Sequence, residues 1–192
     1  LRLVPDCNDI LGAEFVVHSG DFDYKNDPAS FEQWIDATLG QNFPYFISPG
    51  NHDTNNWSGT SGYQALGKAR MERIGMTDPE CVTNYGQKST CVYKGLQIVL
   101  SGVPYSQFGS DQVQFDYISQ QLASPYIWKV CSWHEQMKKL TPGGKSDSVP
   151  YIFYDLCREK GAFIVNGHAH VYGRTRTLDD FNTFSIDPVW PE

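Results

Sequence analysis

The sequence predicts an α/β layered domain, and three features carry that expectation. Short apolar runs rich in β-branched and aromatic residues alternate with longer stretches of helical spacing. No repeat, low-complexity tract or linker interrupts the alternation, so residues 1–192 are expected to form one domain. Four of the apolar runs lead straight into loops rich in Asp, Asn or His. Sites in α/β sheets gather at such places, because loops at the carboxyl ends of strands converge on one edge.

Glu14–His18 (EFVVH) reads as the first strand, ending at Ser19-Gly20-Asp21. Pro28–Gly40 reads as a helix with Phe31, Ile35 and Leu39 on one face and Gly40 as its stop. Pro44–Ser48 (PYFIS) is the next strand and runs into Pro49-Gly50-Asn51-His52-Asp53. Tyr63–Ile74 has helical character and closes at Gly75. Thr90–Tyr93 and Leu96–Ser101 suit a hairpin around Lys94-Gly95. Asp111–Leu122 is an amphipathic helix with Asp111 as the expected cap. Trp128–Trp133 is a strand entering His134, Ser148–Lys160 a helix, and Ala162–Val165 a strand before Asn166-Gly167-His168-Ala169-His170. Val171–Thr177 alternates like a further strand.

The chain is 40% hydrophobic, which suffices for one substantial core, and carries a formal net charge of -7. That balance gives no general attraction to a polyphosphate backbone, so no nucleic-acid partner is expected. A small phosphate ester is not excluded, because bound metals reverse the charge locally. No run approaches the ~18 apolar residues that span a membrane. The five cysteines form no CxxC spacing, which argues against a structural zinc site. Cys81 and Cys91 bracket a short polar loop that a disulfide would close, at a gain of about 3 kcal/mol; the alternative is two free thiols. Cys131 and Cys157 are expected as buried small hydrophobes. Asn56-Trp57-Ser58 is a glycosylation sequon. Sequon and disulfide together favour a secreted or luminal protein, with any signal peptide upstream of Leu1.

The polar clusters are Gly20-Asp21-Phe22-Asp23-Tyr24, Gly50-Asn51-His52-Asp53, Trp133-His134 and Gly167-His168-Ala169-His170. Carboxylate, amide oxygen and neutral imidazole form the donor set that a pair of hard or borderline cations needs. One carboxylate can bridge two metals ~3.5–4 Å apart. The order GD, GNHD, a lone His after a strand, then GHxH resembles the calcineurin-like metallophosphoesterases from about Glu14 to about Arg174. Two details resemble their purple acid phosphatase branch: Gly20–Tyr24 fits GDxxY, and His168–Arg174 fits HxHxYxR.

The resemblance implies a four-layer α-β-β-α sandwich with two mixed sheets, and a metal-dependent phosphate-ester hydrolase of acid-phosphatase type. It implies two divalent or trivalent ions, iron with zinc, manganese or a second iron. Asp21 would bridge them, Tyr24 and His170 would hold the ferric ion, and Asn51, His134 and His168 the second metal. His52 takes the place of the group that protonates the leaving alkoxide or stabilises the phosphoryl oxygens. The family's first motif, an Asp at a strand end upstream of GD, has no counterpart among Asp6, Asp9 and Glu14. The chain is therefore expected to lack the first strand and, with it, a carboxylate ligand of the first site; its C-terminal limit is left open. His18 reads as structural, Asp23 and Asp53 as turn or supporting residues, and Arg174 as either a substrate or a surface residue. Loops 55–62, 105–111 and 141–148 would form the substrate rim, with Trp57 and Tyr105 as contacts. A neutral-pH phosphodiesterase using manganese, zinc or ferrous iron is the alternative if Tyr24 is not a ligand. A non-catalytic binding module that keeps the fold is the other.

Overall fold

The computed structural model describes residues 12–140, 145 and 149–191. Strand β1 (Val16–His18) pairs in parallel with β2 (Tyr45–Ile47), in a register that sets Val16 against Tyr45 and His18 against Ile47. A parallel pair needs a crossover, and helix α1 (Pro28–Leu39) supplies it. Asp27 caps α1 by accepting from the Ser30 amide, and Pro28 occupies the first turn, where a missing N–H costs nothing. Phe31 and Ile35, four apart, form its buried stripe, as the spacing predicts.

Helix α2 (Tyr63–Arg73) and the single turn α3 (Pro79–Val82) lead to β3 (Lys88–Tyr93) and β4 (Leu96–Ser101). These two form the expected hairpin around Lys94-Gly95. Helix α4 (Asp111–Leu122), strand β5 (Trp128–Ser132), helix α5 (Tyr151–Glu159) and strand β6 (Ala162–Val165) complete a sheet of order β3-β4-β5-β6. Its first pair is antiparallel and the other two are parallel. A short pair, β7 (Leu178–Asp180) with β8 (Ser185–Ile186), follows.

Strand alternation shows how the layers stack. On β2, Tyr45 and Ile47 face Phe31, Ile35 and Gly67 of α1 and α2, while the Phe46 ring meets Tyr93 of β3. On β4, Ile98 and Leu100 join that first core, whereas Val99 joins a second with Ile118 and Leu122 of α4 and Phe153 of α5. Each sheet thus has one face on its partner sheet and one on helices, which is the α-β-β-α order. Among the described residues only the four-stranded sheet is mixed; the other is a parallel pair, because α1 is its only connection.

Several local expectations are corrected. Ser110, not Asp111, caps α4, its Oγ accepting from the Val113 amide at 3.4 Å. Helix α5 starts at Tyr151 rather than Ser148, because Pro150 biases the residue before it away from helical backbone. Ser148 lies outside the described residues. Val171–Thr177 is irregular, since the alternation has no surface to pack on: Val171 and Tyr172 are both exposed. The Cys81–Cys91 disulfide joins α3 to β3. Cys131 and Cys157 are buried as expected but bonded to each other, because β5 packs against α5.

Candidate metal centre

Four strands end at one place. The loops after β1, β2, β5 and β6 bring Asp21, Asn51, His134 and His168 together, two from each sheet. A buried seam of serines fixes the sheets to one another just behind them. Ser48 Oγ donates to the Ser132 carbonyl at 3.0 Å, and Ser19 Oγ lies 3.1 Å from Ser132 Oγ. No sequence signal marked these serines, whose partners are 84 and 113 residues away.

The glycines of the motifs are there because backbones touch. A Cβ on Gly20 would overlap the backbone of Gly50, and one on Gly50 would overlap Asp21. Gly167 sits against the Ser19 carbonyl and the His134 ring. Four donor residues hold left-handed backbones: Asp21 (φ 58°), Tyr24 (φ 56°), His168 (φ 67°) and His170 (φ 52°). Such conformations cost about 1–3 kcal/mol each outside glycine and persist where the surroundings enforce them.

Asp21 is the hub. Its Oδ1 accepts the His52 amide at 3.1 Å, and its Oδ2 lies 3.2 Å from both the Tyr24 hydroxyl and His134 Nε2. His134 Nδ1 donates to the Ser19 carbonyl at 2.5 Å, which leaves Nε2 as the lone-pair nitrogen. That nitrogen is fully buried and makes no hydrogen bond; its distance from Asp21 would suit an ion pair, its direction does not. Two acceptors facing each other in a buried site are what a cation would reconcile.

Asp21, His134 and His168 each offer a donor atom within 4.8 Å of the others. Asn51 Oδ1 is 3.1 Å from His168 Nδ1, which adds an amide oxygen on the same side. Burial, then the nearby Lys145 ammonium, lowers the His168 pKa and favours the neutral imidazole that binds metal. Lys145 also donates to the His168 carbonyl. On the other side of Asp21, the Tyr24 hydroxyl lies 2.8 Å from His170 Nε2. His52 is exposed, with its ring 4.5 Å from that of Tyr24. All seven sequence-selected site residues are therefore neighbours.

The family model for calcineurin-like phosphoesterases matches residues 1–172. The chain belongs to that family. Comparison with curated proteins gives no match, and neither does comparison with solved structures. As a calcineurin-like phosphoesterase it is a metal-dependent hydrolase of phosphate esters, and the donor set around Asp21 fits that chemistry.

Other selected residues have different places. Asp23 accepts the amides of Lys25, Asn26 and Asp27 and the Tyr63 hydroxyl, so it builds the turn. Asp53 is 1% exposed and accepts three backbone amides; burial nevertheless pushes its carboxyl up to about 6. His18 bonds the Tyr45 hydroxyl through Nδ1 at 2.9 Å. Trp57 is fully buried between Phe22 and Phe108, so it is no substrate contact. Tyr172 and Arg174 are exposed. Glu14 pairs with Lys94 on the surface, and Asp6 and Asp9 lie outside the described residues. Of the loop 141–148, only residue 145 is described. Sequence reasoning passed over Glu135. It acts electrostatically on both Tyr105, whose phenol burial and then Glu135 push up, and His168.

Proposed function

We propose that this phosphoesterase is a phosphatase of the purple acid type, with two metal positions that share Asp21. One observation supports this best: Asp21 Oδ2 stands between two donor groups, with Tyr24 and His170 on one side and His134, His168 and Asn51 on the other. When bound, the metals supply a water of lowered pKa and neutralise charge on the phosphoryl oxygens. The chain's own part is positioning. Asp21 joins the two halves, with its oxygens fixed by the His52 amide and the Tyr24 hydroxyl. His134 is set in one tautomer by the Ser19 carbonyl, which aims its free nitrogen at the site. His52, exposed at the rim, is the group to deliver a proton to the departing alkoxide. A secreted or luminal location follows in the same reading, supported by the two disulfides.

A second reading, a neutral-pH phosphodiesterase with manganese, zinc or ferrous iron, draws on Tyr24. Its ring is 50% exposed, and burial followed by the Asp21 charge pushes its phenol up, both suiting a substrate-facing hydroxyl. Colour and substrate preference separate the two. A tyrosinate–ferric centre absorbs in the visible, and Tyr24→Phe is expected to abolish the band. Monoester turnover fastest at acid pH is expected alongside it. A colourless, metal-loaded enzyme that prefers diesters at neutral pH would establish the second reading. Loss of all turnover with metals bound would favour a binding module.

A further inference from the structure

We infer that Asp53 is the positioning residue that sets the geometry of the metal-holding carboxylate Asp21. Its Oδ2 accepts the Asp21 amide at 2.7 Å and the Gly50 amide at 2.8 Å, and its Oδ1 accepts the Phe22 amide at 3.0 Å. Both oxygens are taken up by backbone and the side chain is 1% exposed, so Asp53 is not a ligand itself. What it does is join two motif loops that belong to neighbouring strands. The GD loop and the GNHD loop touch backbone to backbone at Gly20 and Gly50. Two carboxylates span them: Asp21 Oδ1 reaches forward to the His52 amide, and Asp53 reaches back to the Asp21 and Phe22 amides.

The clamp acts where the backbone is strained. Asp21 has φ 58°, a conformation its own side chain disfavours, and the amide flanking that strain on each side ends on Asp53. With the backbone so fixed, Asp21 Oδ1 receives the His52 amide and Oδ2 is left facing Tyr24 and His134. Without Asp53 the Asp21 turn has a lower-energy alternative in ordinary φ space, which would swing the carboxylate out of the donor cluster. The residue is thus a charged, acceptor-only group chosen for three donors. An amide in its place offers one acceptor and sets an N–H against an N–H.

This inference rests on the reading of Asp21 as a metal-holding residue, and the test separates the two. Mn²⁺ binding to the metal-free protein is measured by titration calorimetry for wild type, Asp21→Asn, Asp53→Asn and Leu122→Ala. The last destabilises the second core, well away from the site. Outer partners of metal ligands commonly govern affinity about 10–100-fold, so Asp53→Asn is expected to weaken Mn²⁺ at least about 10-fold. Leu122→Ala, which opens a cavity in that core, is expected to leave affinity intact. Binding weakened by Asp21→Asn but not by Asp53→Asn would overturn the role of Asp53 alone. Affinity unaffected by Asp21→Asn would overturn the metal reading, and equal loss in Leu122→Ala would reduce Asp53 to a stability role. Should Asp53→Asn not fold, hydrogen exchange on metal-free wild type decides. The Asp21, Phe22 and Gly50 amides are expected to be protected like strand amides, and fast exchange would overturn the clamp.

Discussion

His18 illustrates how one side chain on the rear of the site ties stability to pH. Burial lowers its pKa from 6.5 to about 4, against a smaller opposing pull from Asp21. The folded protein therefore holds His18 neutral while the unfolded chain still protonates it normally. Between those values the unfolded state binds more protons, so stability is complete above pH 6.5 and is lost as pH falls toward 4. By pH 5 the loss amounts to about 2 kcal/mol. His18→Gln is expected to flatten the difference between urea midpoints measured at pH 7 and pH 5; an unchanged difference would place the acid sensitivity elsewhere. In the proposed mechanism His52 belongs to the chemistry instead. Its ring is exposed and its backbone already serves Asp21, so His52→Ala removes a proton donor without disturbing the donor cluster. Turnover is expected to fall about 10²–10⁴-fold with metal content unchanged. Metal loss in that variant would show a ligand role, and unchanged turnover would remove His52 from the mechanism.

Between elements, Arg70 on α2 has the largest structural task. It is 1% exposed, reaches Glu32 and Asp36 on α1, and donates to the carbonyls of Gly40, Gln41 and Phe43 on the approach to β2. Replacing it with Leu strands two carboxylates, one of them Glu32, which burial already pushes up. A loss of about 3 kcal/mol is expected in urea unfolding, with metal affinity of the folded fraction intact, because β2 and its Gly50–Asp53 loop lie beyond the contact. The elements themselves were legible for a simple reason. Phe31 and Ile35 at helical spacing, or the continuous apolar run Ile98-Val99-Leu100 of β4, are local patterns in a chain whose packing follows them. The motif loops were legible likewise, because each donor sits within a few residues of its strand end. What escaped depends on partners distant in sequence. Cys131 and Cys157 are 26 residues apart in two ordinary elements, and only the packing of β5 on α5 pairs them. Trp57 lies in a Gly- and Ser-rich loop that reads as a rim, yet Phe22 and Phe108 close over it. The serine seam is likewise visible only once the two sheets meet, and the Asp21 and Phe22 amides on Asp53 only once β1 pairs with β2.

At the scale of the whole molecule the donors are divided between sheets: Asp21 and Asn51 follow strands of the first, His134 and His168 strands of the second. The sheets share a core through Phe46, Tyr93, Ile98 and Leu100, and at the site itself they are joined by serine hydrogen bonds. A metal held by Asp21, His134 and His168 would therefore link the two layers at this edge. Binding only to the folded state, it stabilises that state by mass action, about 2.7 kcal/mol at a free concentration 100 times the dissociation constant. For a domain of this size each kcal/mol moves the melting temperature by about 2–4 °C. Chelation is expected to lower it by about 5–10 °C in wild type and to leave His168→Ala unmoved. Because the two sheets share one apolar core, the transition is expected to stay single and cooperative with metal and without it. A chelated protein that melts in two steps would mean that the metal, rather than the shared apolar core, makes the two layers one folding unit. An unchanged melting temperature would instead mean that the cluster binds no metal that matters to the fold.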